Sequence, residues 1–154
     1  MAPTFPPCGL YVTTEEIGQV PAGRLVLFHD HGDPGPGIYL PESWAHNRAN
    51  FSSRGITVQS AALAATLKPL LSEGLYRVEE AFTCCAKNCR TYPQDSLVQL
   101  GYDGAANAIL FEPSWGPEGL QIPESGQRVD DLRLSKLAYL MVREGATGSR
   151  GIYH

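Results

Sequence analysis

The sequence predicts a mainly β chain, a β-rich α+β fold in which one small unit is stated twice. Three observations lead there. The 154 residues contain 16 Gly and 12 Pro, above the roughly 12% of average usage, which fits many turns and short strands. The apolar runs are short and regularly spaced, and too frequent for a disordered chain. The third observation is a repeated phrase. Residues 25–44 read LVLFHDHGDPGPGIYLPESW, and residues 97–115 read LVQLGYDGAANAILFEPSW.

The two halves align in order. Gly9-Leu10-Tyr11 matches Gly74-Leu75-Tyr76, and a first strand begins there in each copy. A hairpin follows, residues 25–28 with 38–40 and residues 97–100 with 108–111. Its turns are rich in Gly, Asp and Asn, which tolerate positive φ. Pro41 and Pro113 lack a backbone donor and are expected to end their strands or to sit at an edge, with Trp44 and Trp115 just after. A shorter strand is expected near Phe51 and near residues 120–122, then a turn at Gly55 or Gly126 into Val58 or Val129. A helix closes each copy. The first spans 59–68, capped by Ser60 and stopped by Pro69. The second starts at Asp130 or Asp131 and runs through Leu132, Leu134, Leu137 and Leu140, with an extended alternative for residues 132–134. The units are therefore 9–72 and 73–144, with a loose Gly- and Ser-rich tail at 145–154.

About five short strands and a helical turn per copy resemble, at the level of fold alone, two small SH3-like barrels. One antiparallel sheet shared by both copies is the alternative. No SH3 peptide-binding motif occurs among these residues.

Composition narrows the function. The formal charge is −4, shared evenly between the halves with no basic stripe. A nucleic-acid partner is not expected, because phosphates need Lys and Arg gathered on one face. No apolar run approaches the roughly 20 residues of a membrane helix. The first residues, MAPTFPPCGLYV, do not read as a signal peptide. A cytoplasmic protein with reduced thiols is the expectation.

The copies differ most between first strand and hairpin. The first has seven residues there, 18–24, and the second has fourteen, 83–96, with Cys84, Cys85 and Cys89. With Cys8 they offer four thiols, so zinc is a possible cofactor. Against this, adjacent Cys84 and Cys85 do not both turn easily to one ion. Lys87 and Arg90 nearby also suit a reactive thiol, and a buried cysteine is often only a small apolar residue. A second cluster lies at His29, His31 and Asp33, with His46 farther on. Along a continuing strand His29 and His31 share a face, which suits a small metal or acid–base site. The second copy has Gly101, Tyr102 and Asp103 there instead, so the loop is expected to turn the chain. Glu15-Glu16 and Glu79-Glu80 are expected on solvated edges. No serine-hydrolase elbow, HExxH or P-loop motif occurs.

Trp44 and Trp115 read either as plugs closing their hairpins, indole N–H on a loop carbonyl, or as an aromatic patch for a partner, extended by Tyr39, Tyr92 and Tyr102. The sequence thus points first to a non-catalytic protein-binding or regulatory module, with Trp44, Trp115, Tyr39 and Tyr102 as contact residues. The alternative is a small zinc- or thiol-dependent protein using Cys8, Cys84, Cys85 and Cys89. A hydrolase or lyase on His29, His31 and Asp33 is a third reading.

Overall fold

The computed structural model describes residues 4–31, 35–87 and 90–143. In chain order the first half forms β1 (Gly9–Val12), β2 (Leu25–His29), β3 (Gly37–Tyr39), β4 (Pro41–Ala45), β5 (Arg48–Phe51), β6 (Ile56–Thr57), helix α1 (Ala61–Ala64) and β7 (Lys68–Pro69). The second half forms β8 (Gly74–Val78), β9 (Phe82–Thr83), β10 (Thr91–Tyr92), β11 (Leu97–Tyr102), β12 (Ala108–Phe111), β13 (Ser114–Gly116), β14 (Gly119–Gln121), β15 (Gln127–Arg128), a 3₁₀ turn over Asp131–Lys136, and β16 (Leu137–Tyr139).

Two antiparallel five-stranded sheets result, ordered β6-β3-β2-β1-β7 and β15-β12-β11-β8-β16. They pair alike: Gly9 opposes Phe28 in the first, and Gly74 opposes Leu100 in the second. Bonds at the margins recur as well. Thr13 N–H donates to Arg24 and Gly23 N–H to Thr13; Val78 N–H donates to Ser96 and Asp95 N–H to Val78. The Tyr11 hydroxyl donates to the Pro7 carbonyl, and the Tyr76 hydroxyl to the Ser72 carbonyl. Gly55 and Gly126 are each tight against an aromatic ring, Tyr39 and Phe111, so no side chain fits at either turn.

The first four residues of β2, Leu25 to Phe28, are apolar because both faces of the strand are covered there, as a continuous apolar run suggests. Val26 and Phe28 join Tyr11, Ile38 and Val58 in the core of the first half. Leu25 and Leu27 join Leu10 in a larger core with Tyr76, Val78, Val98, Leu100 and Leu110 of the second half. The two sheets therefore share a core. Leu25 N–H also donates to the Gly104 carbonyl across the seam, at 2.9 Å.

Several expectations need correcting. Neither five-stranded sheet closes into a barrel, and the halves have one such sheet each instead of sharing one. The helix expected over 59–68 is one turn, Ala61–Ala64. Ser60 caps it, accepting from Leu63 N–H, but Lys68 and Pro69 pair with Val12 and Tyr11 as an edge strand, where proline's missing donor costs no ladder bond. The second closing element is a 3₁₀ turn that ends before Leu137, which pairs with Val78. The strands β3 and β12 do end before Pro41 and Pro113, at Tyr39 and Phe111, but the chain then enters a further hairpin in each half, β4–β5 and β13–β14. The tail 145–154 lies outside the described residues.

Candidate functional site

The two extra hairpins sit at the same place in their halves, between the third and fourth strands of each sheet. The β4–β5 hairpin turns through His46 and Asn47, both at positive φ, the pattern of a two-residue type I′ turn. Its tip lies on the second sheet. The Trp44 indole N–H donates to the Tyr102 carbonyl at 2.8 Å. The Asn47 side-chain amide donates to Gln99 Oε1 at 2.9 Å and to the Pro123 carbonyl at 2.8 Å. Gln99 Nε2 returns a bond to the His46 carbonyl. The Ala49 N–H donates to the Glu73 carboxylate at 2.8 Å. These contacts explain why Gln99 and Glu73 are polar and buried. Gly101 has to be glycine, since a Cβ there would meet the Asn47 carbonyl at 2.6 Å. Beside this junction lies a cleft of about 570 Å³, walled by Trp44, Asn47, Asp103, Ile109, Phe111 and Glu124.

The β13–β14 hairpin carries the other tryptophan. Trp115 pairs across it with Leu120 and is 83% exposed, against 43% for Trp44. Leu120 and Ile122 are exposed with it. At the hairpin's base a groove of about 340 Å³ is lined by Pro93, Leu97, Pro113, Trp115 and Leu120. Glu112 at its edge is held by Arg90.

A third arrangement forms at the start of β1. Cys8 precedes Gly9, whose partner is Phe28, so the thiol falls beside His29 at the end of β2. His31, two residues past the end of β2, brings its ring to the same thiol. The Cys8 Sγ is 3.3 Å from His31 Nδ1. The Asp30 N–H donates to Cys8 Sγ at 3.4 Å. The ligand atoms of Cys8, His29 and His31 lie within 4.8 Å of one another; Cys8 and His31 are exposed and His29 half-buried.

The cysteine insertion is organised by the β9–β10 pair. Cys84 is wholly buried in the larger core, with its sulfur 3.6 Å from that of Cys85. Among the described residues the group of Cys and His donors that could share an ion contains Cys8 with the two histidines, not with Cys84 and Cys85. Cys89 and Asp33 lie outside the described residues. His46 is exposed at the first hairpin's tip. Tyr102 and Tyr92 are buried, the Tyr102 hydroxyl donating to the Leu71 carbonyl. Burial, reinforced by the neighbouring Tyr76, pushes the Tyr102 phenol well up. Tyr39 is half-buried over Gly55. Of the four expected contact residues, the structure thus presents Trp115 outward, engages Trp44 at the seam, and packs the rings of Tyr39 and Tyr102.

Sequence reading missed Gln99, Glu73 and Asn47 as the residues that join the halves. Gln99 carries a signal, since it interrupts the apolar run LVQL, whereas LVLF in the first half has Leu27 at the corresponding position. The pairing of Cys8 with the histidines had none, because it depends on register between distant segments. No protein family, curated protein or solved structure matches the chain.

Proposed function

We propose that this chain is a non-catalytic protein-binding module, built from two copies of one opened, SH3-like β unit, and that its recognition element is the β13–β14 hairpin. One observation carries this reading: hairpins at the same place in the two halves have different fates. The first inserts its tip into a polar seam through Trp44 and Asn47. The second presents Trp115, Leu120 and Ile122 outward. Exposed tryptophan beside further apolar side chains is the composition of an interface anchor. The shared strand order and the recurring margin bonds support duplication of the unit.

The docked hairpin suggests what the free one recognises. A partner protein would supply an apolar pocket for the indole, with a backbone carbonyl at its rim to accept the indole N–H. One of its own apolar side chains would enter the groove between Pro93, Leu97 and Pro113. A second copy docked in the same manner is disfavoured. Gly101 permits the close approach of Asn47, and the first sheet has His29 at that register position.

A photoreactive residue in place of Leu120 would capture the partner, and the purified pair would then be measured directly. Trp115→Ala is expected to weaken binding by about tenfold or more, the effect of losing an anchor. Unchanged affinity of Trp115→Ala for the captured partner would contradict the proposal.

A further inference from the structure

We infer that Cys8, His29 and His31 form a surface site for a transition-metal ion of the zinc class. The inference does not rest on the binding function above. One thiolate and two imidazoles are a borderline-soft donor set, suited to Zn²⁺ or Co²⁺ and not to Mg²⁺ or Ca²⁺. On Zn–S bonds of about 2.3 Å and Zn–N bonds of about 2.0–2.1 Å, tetrahedral donors stand roughly 3.3–3.6 Å apart. Cys8 Sγ and His31 Nδ1, at 3.3 Å, stand within a few tenths of an ångström of the roughly 3.5 Å that a sulfur–nitrogen pair keeps around such an ion. The remaining separations, all within 4.8 Å, close by rotation of the imidazoles. The two rings meet edge to face, 5.1 Å between centroids and 66° between planes, so neither ring lies flat over the other's nitrogens.

The surroundings fit an ion as well. The Asp30 N–H bond to Cys8 Sγ fixes the direction of the sulfur, the part that outer-shell donors play around metals. The corner is also a place where this fold converges side chains. At the same register position the second sheet has Glu73 and Gly101, and there the β4–β5 hairpin is received. In the first sheet the corner holds Cys8 and His29, and Cys8 and His31 remain exposed. Three protein donors leave a fourth position for water or for a group from another molecule.

The test uses the full chain, stripped of metal and titrated with Co²⁺. The expected result is one equivalent bound, with thiolate-to-cobalt charge-transfer absorption. Cys8→Ser should abolish that absorption, and His31→Ala should weaken uptake by at least about tenfold. A Cys85→Ser, Cys89→Ser protein should keep both. In the unsubstituted protein, one equivalent of Zn²⁺ should slow alkylation of Cys8 by iodoacetamide, read by peptide mapping. No uptake, absorption that survives Cys8→Ser, or absorption lost with Cys85 and Cys89 would overturn the site. So would alkylation of Cys8 that zinc leaves unchanged, which points to a reactive Cys–His pair instead.

Discussion

Tyr92 illustrates how a single atom sets a prediction. Its ring is buried and stacks on Phe82 at 5.1 Å. Its hydroxyl is buried with no hydrogen-bond partner among the described residues, and burial, aided by Glu112, pushes the phenol up to about 12. An unpaired buried hydroxyl costs about 1–3 kcal/mol, and phenylalanine keeps the ring. Tyr92→Phe is therefore expected to be neutral or to stabilise by about 1 kcal/mol in urea unfolding. A clear loss would mean that the hydroxyl has a partner. Gly101 makes the opposite case. Gly101→Ala puts a methyl against the Asn47 backbone, and is expected to cost about 1–3 kcal/mol, seen as a lower unfolding midpoint. A neutral result would show that the hairpin tip lifts away at little cost.

Elements here are held by short polar loops as much as by ladders. The β11–β12 turn is organised by Asp103, whose carboxylate accepts from the N–H groups of Ala105 and Asn107 and from the Asn107 amide. Burial raises the Asp103 pKa most strongly among single effects. The combined hydrogen bonds and the nearby Arg128 outweigh it and hold the carboxyl below its usual value. The unfolded chain then takes up this proton first as pH falls. The Asp103 contribution is complete above the ordinary carboxylate range and is lost as pH drops through the depressed folded value. Asp103→Asn should accordingly flatten the acid side of the stability–pH curve measured by urea midpoints. An unchanged acid slope would contradict that role.

The strands and hairpins were legible because apolar runs and turn residues are local signals. Residues 25–28, 97–100 and 108–111 lie in strands, and the hairpins expected from them form, β2 with β3 and β11 with β12. The helices were misjudged for a physical reason. The apolar periodicity of residues 59–68 continues into an edge strand, and tertiary pairing of Lys68 and Pro69 with β1 overrides helix propensity. Likewise the leucines at 132–140 serve two elements, a 3₁₀ turn and β16. The candidate sites were half legible. Trp115 could be singled out from its place after Pro113, but its exposure could not. The sequence marks Cys8 as one candidate ligand and the histidines as members of another set, yet only the β1–β2 register brings them together.

At the scale of the molecule, two sheets with one pairing scheme are welded by a shared core and by one hairpin. Leu10, Leu25 and Leu27 of the first half lie in the same core as Tyr76, Val98 and Leu100 of the second. Unfolding is expected to be a single transition, and Leu27→Ala should lower the whole transition by about 2–5 kcal/mol. Two resolved transitions, with only one of them moved, would mean that the halves are independent.

The central claim is that the chain uses one tryptophan hairpin internally and offers the other to a partner. Thermal unfolding of Trp44→Ala and Trp115→Ala side by side tests it most directly. Trp44→Ala loses the bond to the Tyr102 carbonyl and its packing at the seam, and should lower Tm by about 4–8 °C, roughly 2 kcal/mol for a chain of this size. Trp115→Ala should leave Tm within about 1–2 °C, as an exposed substitution does. Equal losses for both variants, or a larger loss at Trp115, would contradict the assignment.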